Sequence, residues 1–167
     1  MIRQEDIQHF DQEIQDIAQY VTQTKITNPL AYEIAYYDLL DTIACALYAL
    51  PYPACSALLG PVVPGATLSK GARVFGCSQP LDPVRATFNL GALIRWLDFN
   101  DTWLAQEWGH PSDNLAGILA IMDYQNQCAH SQFTIKDLLT AMIKAHEIQG
   151  VIALNNSFNR VGLDHVI

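Results

Sequence analysis

Residues 28–50 read NPLAYEIAYYDLLDTIACALYAL, and this stretch decides the fold class. It opens with Asn-Pro, the cap and first-turn pair typical of a helix start, and Pro51 follows its end. After Leu39 it is apolar almost all round, without the alternation of a half-buried strand. We therefore expect a long helix over 29–50 at the centre of the domain.

Other segments show the same helical signals. Apolar residues spaced three or four apart predict an amphipathic first helix: Ile7, Phe10, Ile14, Ile17 and Val21. Three further helices are predicted from their start signals. Asp82-Pro83 opens one over about 83–98, Ser112 or Asp113 opens one over about 113–126, and the capping box Thr134-x-x-Asp137 opens one over about 135–153. The sequence therefore predicts an all-α, multi-helix domain.

One segment, residues 51–80, interrupts the helical pattern. It holds five of the eight prolines and four of the nine glycines. Proline removes a backbone donor and glycine carries an entropic cost, so a helix is disfavoured here. We expect an irregular segment in which Thr67–Leu68 and Arg73–Phe75 are short extended pieces.

Composition excludes several classes of protein. The 167 residues are 50% hydrophobic and 16% charged, which suits one globular domain. Seventeen acidic residues against nine scattered cations give a net charge of −8, so neither nucleic acid nor an anionic membrane is an expected partner. The longest apolar run, Ile43–Leu50, is too short for a membrane span, and we expect a cytoplasmic protein.

The cysteines do not indicate a metal site, and the chain end does not indicate a natural terminus. The four cysteines form no C-x-x-C pair, so buried reduced thiols are expected and no metal site is. The chain stops at residues 163–167, LDHVI, with two apolar residues last. Native termini are usually polar, so we expect a cut through a longer protein.

Ionisable groups concentrate in residues 95–114, RWLDFNDTWLAQEWGHPSDN. Asp98 falls at the end of a predicted helix, where negative charge is disfavoured unless it binds something. His110 leads onto the next helix, whose first N–H groups, at Ser112 to Leu115, favour an anion. The stretch therefore predicts a site for an acidic ligand, with Arg95, Ser112 and Asp113 as substrate-binding candidates.

Other interpretations of this stretch stay open. Asn100, Asp101 and Ser112 are also ordinary cap and turn residues, in which case the chain is a helical interaction module without chemistry. A metal-dependent hydrolase would use four ionisable groups: Asp98, Asp101, His110 and Asp113. Elsewhere, His146-Glu147 lacks the second histidine of a zinc protease motif, so packing is the expected role of His146.

Three stretches resemble the MmgE/PrpD family. The most specific is RWLDFNDTWLAQEWGHPSDNLAGILA at 95–120, supported by AMIKAHEIQGVIALNNSFNRVGLDHV at 141–166 and LAYEIAYYDLLDTIACALYAL at 30–50. Family members are longer, with a large helical domain built from both ends of the chain and a smaller α+β lid. The resemblance implies that residues 1–167 are the N-terminal segment of that helical domain, without the lid and the C-terminal helical segment.

The resemblance also implies an activity and a set of site residues. The implied reaction is the dehydration of 2-methylcitrate, a small tricarboxylate, to 2-methyl-cis-aconitate in propionate catabolism, without a cofactor and in a full-length homodimer. Related members act on other small polycarboxylates, as cis-aconitate decarboxylases or aconitate hydratases. The family pattern falls on Asp98, Thr102, His110 and, more loosely, His165, while its active-site lysine would lie beyond Ile167. The chain alone is expected to be inactive.

Overall fold

The computed structural model describes residues 10–129 and 131–163. Within these ranges the helices are α1 (Gln12–Gln23), α2 (Pro29–Ala49), α3 (Pro53–Ser56), α4 (Pro83–Arg95), α5 (Asp113–Gln127) and α6 (Ile135–Asn155), followed by a short 3-10 helix (Asn159–Val161). A small hairpin joins β1 (Trp103–Leu104) to β2 (Trp108–Gly109) in antiparallel register. The predicted all-α class is confirmed, and the hairpin is a minor addition.

Three of the predicted helix starts are confirmed by side-chain capping bonds. Asn28 accepts from the Leu30 N–H at 3.0 Å, and Asp82 accepts from the Arg85 N–H at 3.0 Å. Thr134 and Asp137 form a reciprocal capping box at the start of α6. These caps satisfy backbone donors that the first helical turn leaves free, which is why short polar residues define the helix ends.

Four helices enclose the core. Helix α2 packs against α4 and α6, and α5 packs against the same two helices. The largest fully buried apolar side chains lie between them and on the segment leading into α4: Leu81, Leu90, Leu93, Leu115 and Met142. No helix in the described part of the chain is both long enough and apolar enough to cross a membrane.

Helix α2 is not the all-round buried helix that its composition suggests. Its buried face is formed by small and medium residues, including Ala35, Leu39 and Thr42. Its opposite face leaves aromatic and aliphatic side chains exposed, among them Tyr37 and Tyr48. The reason is that α4 and α6 cover one side of α2, so apolar composition overstates its burial.

Residues 51–80 are largely irregular, as predicted, and they also contain the single-turn helix α3. The pieces expected to be extended, Thr67–Leu68 and Arg73–Phe75, belong to no named strand. A single antiparallel bridge pairs Ala72 with Leu81 instead. Gly71 permits this close approach, because a Cβ there would lie 2.2 Å from the Leu81 carbonyl oxygen.

Candidate active site

The loop between α4 and α5, residues 96–112, carries the candidate site. Helix α4 ends at Arg95, three residues before the expected boundary. The chain then reverses at Asp98, whose φ of 55° lies in the left-handed region. That conformation is costly for most residues but is tolerated by Asp and Asn. The turn directs the loop back across the ends of α4 and α5.

Arg95 organises the solvent side of this loop. Its Nη2 donates to the Asp98 carboxylate at 2.6 Å, and its Nη1 donates to Asn100 Oδ1 at 2.7 Å. Its Nε lies 3.3 Å from the Asp113 carboxylate. We call Arg95, Asp98 and Asp113 the outer set. The guanidinium offsets the negative charge that Asp98 adds at the end of a helix.

Asp113 is the half-buried member of the outer set. Burial raises the pKa of its carboxyl, and the charges of Arg95 and His110 oppose that increase. The carboxylates of Asp101 and Asp98 raise the pKa further. The groups predicted from the 95–114 stretch therefore lie within electrostatic range of one another around Asp113.

The expected anion site at the start of α5 is wrong. The Ser112 N–H donates to Asp101 Oδ2 at 3.0 Å. The next three N–H groups donate to the carbonyls of His110, Pro111 and Ser112. Because the protein's own acceptors already occupy these donors, they are not available to an anion.

Ser112 holds the loop together instead of facing a ligand. It is fully buried, and its hydroxyl accepts a hydrogen bond from the Asn100 amide. Its side chain makes no capping bond to α5. Its contacts therefore fix the distance between the start of the loop and the start of α5.

His110 is held through one ring nitrogen. Its Nδ1 lies 2.6 Å from the backbone carbonyl oxygen of Asp101, and the half-buried ring lies 6.4 Å from the Trp108 ring. A carbonyl only accepts, so Nδ1 carries the proton. In the neutral ring Nε2 then has the lone pair, and this nitrogen can take a proton from a ligand.

Behind the loop lies a second polar group that we call the inner set: Asp38 on α2, Asp101 in the loop and His146 on α6. One ligand atom from each lies within 4.8 Å of the other two. Asp38 Oδ2 is 3.4 Å from His146 Nε2, and their side chains are 12% and 25% exposed. Both atoms are buried and have no hydrogen-bond partner in the structure.

The environment of the inner set changes its protonation. Burial, the charge of Asp101, a hydrogen bond with Asp101 and the charge of Asp41 raise the pKa of Asp38 to about 7. Burial lowers the pKa of His146, against the charge of Asp101 and a hydrogen bond to the Pro111 backbone. Sequence reasoning missed Asp38 and assigned His146 to packing. The sequence signal that could have identified them is an ionisable residue within each of two long apolar helices, Asp38 in α2 and His146 in α6.

The hairpin within the loop is fixed to the end of the domain. Glu107, only 4% exposed, accepts hydrogen bonds from the Asn159 backbone and side-chain amides, each at 3.0 Å, and from the Ser157 hydroxyl. Trp103 packs on Gly150, where an added Cβ would lie 3.2 Å from the indole. The hairpin therefore joins the candidate site to α6 and the segment after it.

The remaining predicted residues are less informative. Thr102 is exposed, and His165 lies outside the described residues. The four residues of the metal-hydrolase alternative are not brought together as one ligand group. Among residues 10–129 and 131–163, the group with metal-like spacing is the inner set, which shares only Asp101 with that alternative.

Comparison with known sequences agrees with the resemblance. The profile of the MmgE/PrpD N-terminal domain matches residues 15–167. The chain belongs to the MmgE/PrpD family. The match covers all helices described above except the first three residues of α1, and it includes the whole 96–112 loop.

Named MmgE/PrpD relatives are similar over nearly the whole chain. A 2-methylcitrate dehydratase of Escherichia coli is 62% identical over 95% of this chain, and one of Cupriavidus necator is 62% identical over 94%. A mitochondrial 2-methylcitrate dehydratase of Yarrowia lipolytica is 54% identical over 94%. The chain spans about a third of each relative's length, 34%, 33% and 31% respectively.

Proposed function

We propose that this chain is the N-terminal segment of the helical domain of a 2-methylcitrate dehydratase. The relatives that bear this name support the proposal. The chain covers about a third of their length, which supports its placement within a longer protein. By the full-length protein we mean this chain together with the lid and C-terminal helical segment. The substrate is a small tricarboxylate.

The orientation of His110 carries the proposal. Dehydration takes a proton from a carbon beside a carboxylate, and the hydroxyl on the neighbouring carbon leaves as water with a proton supplied by a general acid. We assign that acid to one of the other catalytic candidates, Asp98, Thr102 or His165, or to the family's lysine. The bond from Nδ1 to the Asp101 carbonyl leaves Nε2 as the acceptor, so neutral His110 suits the first proton transfer.

The outer set supplies the surroundings of that proton transfer. Asp98 is 73% exposed and presents its carboxylate where a substrate hydroxyl could donate to it. Arg95 keeps that carboxylate in place and is the cation we assign to a substrate carboxylate. We retain Thr102 and His165 as catalytic candidates, and Asp113 as a substrate-binding candidate. The family's lysine and the lid supply further positive charge in the full-length protein.

The proposal extends to assembly and compartment. The full-length protein is a homodimer, as the family resemblance implies. The four cysteines of this chain are free thiols, which is usual in a reducing compartment, and we assign the protein to the cytoplasm.

A substrate panel tests the proposed reaction. The full-length protein should convert 2-methylcitrate faster than citrate or cis-aconitate, followed by formation of the conjugated product and by chromatography. The chain alone should show no turnover and only weak binding by calorimetry. Faster decarboxylation of cis-aconitate, or faster hydration of it, would reassign the protein to a related polycarboxylate activity. No turnover of any of them would contradict the proposal.

A pair of variants tests the role of His110. His110→Ala should lower kcat of the full-length protein by about 100-fold or more, because positioned acid–base groups contribute about 10²–10⁴-fold. Asp123→Asn is the control, since Asp123 pairs with Arg73 and takes no part in the site. It should retain near-normal kcat. Near-normal turnover by His110→Ala would remove the assigned role.

A further inference from the structure

The inner set contacts the same turn that holds His110. Asp101 holds His110 Nδ1 through its backbone carbonyl and the Ser112 N–H through its carboxylate. His146 is hydrogen-bonded to the Pro111 backbone, which offers only a carbonyl oxygen as a partner. Three successive residues, 110–112, are therefore each bonded to Asp101 or His146.

The protons of this group can be placed from geometry. His146 Nε2 has no hydrogen-bond partner, so Nδ1 is the nitrogen that donates to the Pro111 carbonyl. In the neutral ring Nε2 then carries a lone pair, which faces Asp38 Oδ2 at 3.4 Å. Two buried acceptors at that distance need a proton between them, because unpaired buried polar atoms are costly.

Asp38 is the residue that holds this proton. Both carboxylate oxygens of Asp101 already accept hydrogen bonds, Oδ2 from the Ser112 N–H at 3.0 Å and Oδ1 from the Asn100 amide at 3.4 Å. The Asp38 side chain is only 12% exposed, and its carboxyl lies within 4.8 Å of a ligand atom of both Asp101 and His146. A carboxylic acid here donates to either neighbour, and no atom is left as a buried unpaired charge.

We propose, resting on the proposed function, that Asp38, Asp101 and His146 are positioning residues that share one proton and thereby hold the 110–112 turn and the orientation of His110. None of them touches the substrate. When the proton leaves, two carboxylates face each other beside a neutral imidazole. Their repulsion displaces Asp101, and His110 loses the carbonyl that fixes its tautomer.

Other ionisable groups lie within electrostatic range of the inner set. Asp41 on α2 acts on the Asp38 carboxyl, and the charge of Asp101 acts on both the Cys45 thiol and the Asp113 carboxyl, which the charge of His110 also affects. Asp41 raises the pKa of Asp38 as the smallest of its causes, after burial and Asp101. Loss of the shared proton is therefore expected near pH 7, the value given by the pKa of Asp38.

The pH profile of Asp38→Asn tests the proposal in the full-length protein. Wild-type kcat should fall above about pH 7, and at about pH 8.5 it should be down about tenfold, because the acid–base group loses its orientation. The amide in Asp38→Asn donates to Asp101 at every pH, so this alkaline fall should disappear. Asp41→Asn is the matched control, and it should move the fall slightly toward lower pH. An unchanged profile in Asp38→Asn would overturn the proposal.

Variants at His146 separate positioning from simple support. His146→Leu removes the donor to Pro111 and should lower kcat about tenfold with KM nearly unchanged. His146→Gln retains an N–H donor and should recover most of that loss. Rates are normalised to correctly folded protein by circular dichroism. A positioning role would be contradicted if both variants lowered kcat to the same extent and also raised KM by a similar factor.

Nitrogen NMR of the histidine rings needs neither substrate nor a variant of Asp38. In the full-length protein the neutral His110 ring should be the Nδ1–H tautomer while Asp38 holds its proton and a mixture of tautomers once that proton is lost, whatever reaction is catalysed. If 2-methylcitrate is not turned over but this tautomer change occurs, the proposed function fails and the positioning role stands. A fixed tautomer throughout overturns the positioning role. The positioning role is also overturned if the full-length protein binds a stoichiometric divalent ion that the His146→Gln variant does not bind.

Discussion

The outer and inner sets each contain two aspartates in or beside the same loop, and these aspartates behave differently. In the outer set, Asp98 and Asp113 share a guanidinium that is 30% exposed, so charge is neutralised by charge. In the inner set, Asp38 and Asp101 have no cation within the group, so a proton takes that role. The comparison shows that partner and burial, more than residue type, decide what a carboxylate does.

The largest expected difference between the two sets is in the pH dependence of stability. The pKa of Asp38 is raised from its ordinary value of 3.8 to about 7, so its contribution is complete below about pH 4 and is lost as pH rises through about 7. The free energy of unfolding of wild type relative to Asp38→Asn should therefore fall by up to about 1.4 kcal/mol per pH unit in that window. Thermal unfolding of both full-length proteins across the window measures this.

A control with the opposite sign accompanies that measurement. The Arg73 side chain holds the pKa of Asp123 below its ordinary value, against the effect of burial. Stability from this carboxylate is present above its ordinary pKa and is lost as pH falls. Wild type relative to Asp123→Asn should therefore become less stable in acid. If the stability of wild type relative to Asp38→Asn and relative to Asp123→Asn changed with pH in the same direction, the protonation assigned to Asp38 would be wrong.

The next expected effect comes from removing the arginine of the outer set. Arg95→Ala leaves Asp98, Asn100 and Asp113 without their shared donor, and should lower the free energy of unfolding by about 1–2 kcal/mol. Arg73→Ala breaks an ion pair whose arginine is 73% exposed and should cost about 0–1 kcal/mol. Denaturant unfolding compares the two. An equal cost would mean that the outer set is only a surface ion pair.

The smallest expected effect separates backbone strain from charge at Asp98. Asp98 and Ala129 are the non-glycine residues with positive φ in the described ranges, at 55° and 57°. Ala129→Gly should raise stability by about 1 kcal/mol and leave kcat unchanged. Asp98→Gly should change stability less, because the gain is offset by the lost contact with Arg95, yet lower kcat. Unchanged kcat in Asp98→Gly would remove Asp98 from the catalytic candidates.

The sequence predicted the helices well and the candidate site only in part. Caps such as Asn28 and Thr134 act within one turn of chain, so local sequence determines them. The 96–112 loop was also identified, since its polar residues stand out between apolar helices. Asp38 and His146 were not identified, because they are far from that loop in sequence and meet it only through packing.

Two corrections have the same physical origin. The N–H groups at the start of α5 looked free in the sequence, but residues earlier in the loop and the turn itself occupy them. Helix α2 looked central, but its neighbours cover one face. In both cases local sequence describes a group correctly without specifying which other part of the chain lies against it.

By itself, the sequence determined the helical class, the helix starts and the loop in which ionisable groups gather, because these depend on contacts within a few residues. The tertiary structure alone decided which groups meet behind that loop. Packing of α2 and α6 against the loop brings Asp38 and His146 to Asp101. Because these groups are then largely buried, they share a proton, and this shared proton keeps His110 in its orientation.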